Sequence, residues 1–411
     1  MAPAIAGRAP RIAVLCIVVA LALLPMVYRF SDSYVYVELL FDGTFGGAAD
    51  WHQNATLPTK APTGQEVGPP EHWWNPTTDD WRVSIVVFCC RENYFDILDT
   101  YLLNNLKSRG GLVDEVLFLI NTVNSGTIEM VESVAAVTPE YRVVPRPIIQ
   151  SSTDFVPLYG ALQDPRTIYF KIDDDTVFIH PDAIANMIRG YRTYGGAYCV
   201  LSANVINHTR LGHYHQSTAG AIPIPSDPMA LRFEDDPYGR CSLVDPRCAM
   251  LAHNTFLSRI ADGTVEMFSG NDSVHELGMS HSHNTSALVG APHVRWSINA
   301  IVLTKQMIDV MRLMEKAPYG EPAATDGLRS DEMYISSLWP TIADCECAAL
   351  LDVIVVHYAY NPQNAHLLFD RDLLPKYRSL AKQMYGDFRG KLVDDYPIAV
   401  HPKYIFVNST S

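Results

Sequence analysis

Apolar residues along this chain fall first into one unbroken run and later into short runs that alternate between two periodicities. The first run, Ile12 to Tyr28, holds no charge and reaches roughly 26 Å as a helix at about 1.5 Å per residue, close to the thickness of a thin bilayer. Arg8 and Arg11 precede it without an acid, and Asp32 and Glu38 follow it. That bias predicts a single membrane anchor over 12–28, with residues 1–11 cytoplasmic and the rest lumenal. The competing reading is a cleaved signal peptide, because Ala20-Leu21-Ala22 imitates a cleavage site. The run continues past that site to Tyr28, which favours the uncleaved anchor. Residues 29–80 then turn to Gly, Pro, Thr and isolated aromatics with no sustained period, the pattern of a stem or linker.

A folded body is predicted over 81–375, followed by a C-terminal extension at 376–411. Val83–Phe88 is a continuous apolar run fit for a buried strand, and Phe95, Leu98, Leu102 and Leu106 follow at helical spacing up to Gly110-Gly111. Val116–Ile120 is a second strand, 128–137 a helix, Tyr141–Val144 a strand, 156–162 a short helix and Thr167–Ile172 a strand. Strands alternating with helices predict an α/β, Rossmann-like body with a mainly parallel sheet flanked by helices. In such sheets ligands collect beyond the carboxyl ends of the strands. Residues 205–292 are rich in His, Pro and Gly and read as long surface loops beside that crevice.

Composition narrows the class. With 411 residues, 48% apolar and 18% charged, the chain has ample core for one large or two ordinary domains, which excludes collagen-like, coiled-coil and disordered classes. Acidic residues outnumber basic ones, 45 to 31, which argues against a nucleic-acid partner and suits anionic ligands handled through a bound cation. Five sequons, at Asn54, Asn207, Asn271, Asn284 and Asn408, agree with lumenal exposure. Of the eight cysteines Cys16 lies in the anchor, so among the remaining seven at least one is unpaired within the chain. Cys241 and Cys248 make the natural bridge across a short loop, and the spacing of Cys89-Cys90 and Cys345-x-Cys347 does not suit a tetrahedral zinc site.

The chemistry concentrates at Tyr169-Phe-Lys-Ile-Asp173-Asp174-Asp175-Thr-Val-Phe-Ile179, where three carboxylates stand between two apolar strands. If the backbone there is extended, Asp173 and Asp175 share one side and Asp174 takes the other. Carboxylates converging beyond a strand make a hard-cation site; a solvated acidic turn would ordinarily carry a Pro or Gly neighbour. The segment Lys171-Ile-Asp-Asp-Asp-Thr-Val-Phe-Ile179 resembles the K-x-D-D-D-x-[FY]-V motif of nucleotide-sugar glycosyltransferases of the GT-A fold, in particular the fringe, core-1 and β-1,3-galactosyltransferase group. The resemblance extends over roughly Trp81 to Tyr360, while the loops of 205–292 match nothing in that group, as in a divergent branch such as a fungal family.

That resemblance implies a GT-A domain in which Asp175 ligates Mn2+ or Mg2+, Asp173 assists at the metal through ribose or water, and Asp174 supports the loop. It implies a UDP-sugar donor, a glycan or glycoprotein acceptor, and a nucleotide pocket built from Arg91, Glu92 and Asn121, with Asp154 a further candidate. It further implies residence in the Golgi or endoplasmic reticulum membrane. Asp331 and Glu332 open a later apolar helical stretch, where inverting members carry the general base; acids in a first helical turn are also ordinary dipole partners. His357 ends the run Leu351–Val356, a position at which a histidine completes the metal shell in several inverting families. His213, His215, His281, His283, His366 and His401 compete with it but lie in loop-like segments. Trp296 reads equally as a sugar-stacking or a core residue. Two other classes stay open: a metal-dependent phosphoester hydrolase, which needs more ligands at strand ends, and a non-catalytic glycan- or metal-binding ectodomain.

Overall fold

A computed structural model of the chain describes residues 81–145, 156–164, 166–224, 232–233, 240–277, 295–303, 307–308, 331–343, 345–360, 363, 371–386 and 397–406. The anchor, the stem, Asp154, three sequons (Asn54, Asn284, Asn408), and His281, His283 and His366 lie outside them. Among the described residues no helix is long and apolar enough to cross a membrane.

The strands are β1 Arg82–Cys89, β2 Glu115–Ile120, β3 Tyr141–Val144, β4 Thr167–Asp173, β5 Thr176–Ile179, β6 Val200–Ile206, β7 Val274–Glu276, β8 Ala300–Leu303 and β9 Cys347–His357. The longer helices are α1 Glu92–Asn104, α2 Ser125–Ala136, α3 Ala183–Tyr194, α4 Pro246–Asp262 and α5 Leu373–Tyr385. In β1 every residue after Arg82 is buried, as expected of a central strand covered on both faces. The predicted helix over 95–106 is α1, and its buried Phe95, Leu98 and Leu102 are the residues whose spacing announced it. Gly110 takes φ +86°, the left-handed conformation that its position after the helical turn requires.

The sheet order is β3-β2-β1-β4-β8-β6-β9-β5, with β7 also paired to β9. The sheet is mixed: β3, β2, β1, β4, β6 and β9 run one way, in line with the mainly parallel expectation, while β8, between β4 and β6, and β5 and β7, beside β9, run against them. A buried apolar run looks alike in either direction; direction is set by the connections, which hydrophobic periodicity does not encode.

The segment expected to be loops contains the 17-residue helix α4, capped by the Asp245 carboxylate accepting from the Arg247 N–H, with Pro246 at its first turn. The boundary expected at 375/376 falls inside α5, which packs on α1: Arg378 Nε donates to Asp96 Oδ2 at 2.6 Å, and the Tyr101 and Tyr385 rings meet edge to face. Helix α3 approaches β9 closely at Gly190, where an added Cβ would stand 2.4 Å from Leu350 Cδ1. Cys241–Cys248 is bridged as expected, Cys199 is joined to Cys345 between the starts of β6 and β9, and Cys89 pairs with Cys90. Cys347 is the free, buried thiol among the described residues.

Candidate active site

The triplet does not stay extended. β4 ends at Asp173, and the chain turns at Asp174 and Asp175 before β5 starts at Thr176. Because β5 pairs with the end of β9, with Thr176 opposite His357, the turn carries Asp175 to the histidine. The Tyr358 N–H donates to the Asp175 carbonyl at 3.0 Å, which locks that juxtaposition. Asp174 and Asp175 therefore share a partner instead of parting to opposite faces. Arg91, at the end of β1, donates from Nε and Nη2 to Asp174 Oδ1 at 2.8 and 2.5 Å, and its Nη2 lies 2.8 Å from Asp175 Oδ2.

One ligand atom each from Asp173, Asp175 and His357 fall within 4.8 Å of one another. Nδ1 of His357 stands 3.3 Å from the Asn207 carbonyl, and Nε2 stands 3.2 Å from Asp175 Oδ2. The carbonyl demands a proton on Nδ1, so the neutral ring presents the Nε2 lone pair to the cluster, the arrangement that orients metal-ligating histidines. Asp175 Oδ1 is buried with no hydrogen-bond partner among the described residues, an acceptor left for a cation. Two carboxylates and one imidazole are a fitting donor set for Mn2+, harder than zinc's and softer than magnesium's preference. Burial lowers the His357 pKa, but the Asp175 carboxylate outweighs it and holds the imidazolium above the ordinary histidine value. Burial likewise pushes Asp175 up, and the charges of His357 and Arg91 bring it net below the usual carboxylate range.

Asp173 is held differently. Its Oδ1 accepts from Lys171, and its Oδ2 accepts from Asn299 Nδ2 at 2.9 Å. Asn299 precedes β8, antiparallel to β4, and its own Oδ1 accepts from the Tyr360 hydroxyl at 3.0 Å. Tyr360 in turn lays its ring 4.5 Å from that of His357. Lys171 is buried, donates to the Ile298 carbonyl at 2.6 Å and sits 5.6 Å from the Phe88 ring centre. Sequence reasoning missed Lys171, Asn299 and Tyr360 as site residues. A lysine inside the apolar run Tyr169–Ile172 was a readable signal, because a buried ammonium demands a carboxylate partner; nothing local marked Tyr360.

These groups line a cavity of about 570 Å³, together with Asn121, Arg295, Trp296, Asp331 and Glu332. Three fixed cations there (Arg91, Lys171, Arg295) face five carboxylates, an excess of two negative charges that one divalent cation would balance. Asp331 is buried; its Oδ2 accepts from the Tyr159 hydroxyl at 2.7 Å and its Oδ1 from the Glu332 N–H at 2.9 Å. Burial raises its pKa above the usual carboxylate value, against the opposing charge of Lys171 and the Tyr159 bond. Glu332 is bound by Arg295, whose Nε donates at 2.9 Å. The two acids named in sequence thus differ: among the described residues Glu332 is engaged in an ion pair and Asp331 is not.

Asn121 lines the cavity, but Glu92 does not, since its Oε1 accepts from the Thr127 hydroxyl at 2.8 Å and ties α1 to α2. Trp296 lines the cavity while being 2% exposed and packed beside His208. The sequon residue Asn207 is also 2% exposed and donates from Nδ2 to the Tyr358 carbonyl at 3.0 Å, so it is a support for the histidine strand and not a glycan acceptor. Asn271 is exposed.

No protein-family model and no characterised protein sequence matches the chain. Among solved structures it is similar to CMP:2-keto-3-deoxy-manno-octonic acid synthetase in complex with CTP (TM-score 0.33, 12% identity, 71% of this chain and 98% of that one). It is similar also to 4-diphosphocytidyl-2C-methyl-D-erythritol synthase from Anaerococcus prevotii (TM-score 0.32, 10% identity, 70% and 94%). A third is glucosyl-3-phosphoglycerate synthase from Mycobacterium tuberculosis, in complex with Mn2+, UDP and phosphoglyceric acid (TM-score 0.24, 16% identity, 45% and 66%).

Proposed function

We propose that the chain is a metal-dependent glycosyltransferase that moves a sugar from a nucleotide-sugar, of the UDP class, to a hydroxyl of a glycan or glycoprotein, with inversion at the transferred carbon. The observation that carries this reading is one cavity holding both a three-ligand cation site (Asp173, Asp175, His357) and a separately held, buried carboxylate, Asp331. A cation bound by those three residues would supply positive charge to the leaving diphosphate. Arg91, fixed by Asp174 and Asp175 at the same place, adds a second positive charge, and Asn121, just after β2, lines the same cavity. The acceptor hydroxyl oxygen forms the new bond to the sugar carbon as the bond to the diphosphate breaks, and Asp331 takes the hydroxyl proton. Glu332, neutralised by Arg295, is the less fitting base.

The reading includes a secretory location, Golgi or endoplasmic reticulum, as a single-pass protein with its N-terminus cytoplasmic. Its supports are the apolar run at 12–28 and the Cys199–Cys345 and Cys241–Cys248 bridges, which belong in an oxidising compartment. Protease added to intact microsomes should leave the C-terminal region undigested, and its digestion would overturn the orientation.

The deciding experiment is a screen of the purified protein against UDP-, GDP- and CMP-sugars with Mn2+, with Mg2+ and with chelator. Metal-dependent release of UDP from one donor is expected. Release from none, or release unaffected by chelator, would overturn the proposal in favour of a binding ectodomain or a metal-independent activity.

A further inference from the structure

Tyr159 lies in the short helical turn Val156–Ala161, fully buried, with its ring 4.9 Å from that of Phe88 at the end of β1. Its hydroxyl reaches Asp331 from a point 172 residues earlier in the chain, at 2.7 Å. A buried phenol is expected to find a partner, and this one finds the carboxylate that faces the cavity. The two oxygens of Asp331 then stand in different situations. Oδ2 receives the phenol, while Oδ1 receives, among the described residues, the N–H of the adjoining Glu332 and keeps lone-pair capacity for a further proton.

We propose that Tyr159 is a positioning residue that fixes the Asp331 carboxylate in one orientation through Oδ2, so that Oδ1 faces the acceptor hydroxyl. This rests on the reading of Asp331 as the general base. The groups facing Asp331 are Lys171 and Asp173 from β4, Tyr159, and its neighbour Glu332, itself paired with Arg295. Lys171 contributes charge from within the sheet, but it is already bonded to Asp173 and to the Ile298 carbonyl. Tyr159 is the side chain that donates to Asp331 directly, among the described residues. A donor to an anionic acceptor favours the anion, so its loss moves the carboxylate toward the protonated acid, which accepts no proton.

The test uses the purified full chain labelled with 13C at aspartate carboxyls and tyrosine ring carbons, with the Asp331 signal assigned by its absence in Asp331→Asn. In Tyr159→Phe the Asp331 midpoint should rise by about 1–2 pH units. The acid limb of kcat/KM should move with it, kcat near neutral pH should fall about tenfold, and Mn2+-dependent UDP affinity should stay within about twofold. Should Tyr159→Phe fail to fold, the unaltered chain still decides: the Tyr159 ring carbon signal should follow pH with the midpoint of Asp331. An unmoved midpoint in Tyr159→Phe, or a Tyr159 signal indifferent to Asp331 ionisation, overturns the role of Tyr159 alone. Full turnover in Asp331→Asn overturns the base assignment itself and the role proposed for Tyr159 with it.

Discussion

Replacing Asp331 by Asn tests the proposed proton transfer with the least change to the rest of the cavity. The amide matches the carboxylate in volume, and its oxygen still accepts the Tyr159 hydroxyl, so the bond now measured at 2.7 Å is kept, while the bond from the Glu332 N–H is lost because the amide nitrogen only donates. Asp331 is also no member of the Asp173, Asp175 and His357 group, so cation and UDP binding should be preserved within about twofold. What disappears is the base. Loss of general-base catalysis costs about 10²- to 10⁴-fold in turnover, or roughly 2.7–5.4 kcal/mol of transition-state stabilisation at about 1.36 kcal/mol per tenfold. Burial raises the Asp331 pKa, and Lys171 and Tyr159 only oppose that rise. In the unaltered chain kcat/KM should therefore fall as pH drops through a value above the ordinary aspartate range, and Asp331→Asn should lose that limb. The assay is continuous UDP release with the donor identified by the screen, across pH, beside calorimetry of UDP with Mn2+. Glu332→Gln is the control: it removes the partner of Arg295, so a modest loss with the acid limb retained is expected. Near-normal turnover in Asp331→Asn, together with a hundredfold loss in Glu332→Gln, would refute the assignment and move the base by one residue.

Asp175→Ala and His357→Ala should each abolish most of the Mn2+-dependent part of UDP binding by calorimetry; unchanged affinity in His357→Ala alone would remove the histidine from the cation site. Since Asp175 raises the His357 pKa above 6.5, and the cation competes with that proton, metal-dependent affinity should weaken as pH falls from a point already above 6.5. His357→Gln should flatten this dependence. Breaking Cys199–Cys345 by paired alanines should destabilise the fold by up to about 5 kcal/mol on the chain-entropy account for a bridge spanning 146 residues. A loss under about 1 kcal/mol by denaturant titration would show that β6 and β9 hold together without it. In a secretory host, Asn271→Gln should lower the apparent mass on a gel and Asn207→Gln should not, because Asn207 is buried and bonded to the Tyr358 carbonyl.

By itself the sequence determined which segments form β1 through β4, since continuous apolar runs and helical spacing are local properties of the chain. It also placed the acidic triplet at the end of β4 and His357 at the end of β9. It bounded the cysteine arithmetic, and Cys241–Cys248 was legible because the loop is short. Strand β6 and helix α4 were not read: Val200–Ile206 is a buried run with Ser and Asn inside it, and α4 stands in a stretch whose His, Pro and Gly content mimics loops. What only the tertiary structure decided are the facts that depend on strand order and direction. β4 and β9 are not neighbours; β8 and β6 lie between them. Asp175 meets His357 because the turn after Asp173 sends β5 antiparallel along the far edge of β9. Asp173 meets Asn299 because β8 enters antiparallel to β4, and Asp331 and Glu332 have different partners because Tyr159 reaches one and Arg295 the other. Each of these pairs is joined by burial of apolar faces contributed by distant segments, and that energy is non-directional along the chain, so no local pattern carries it.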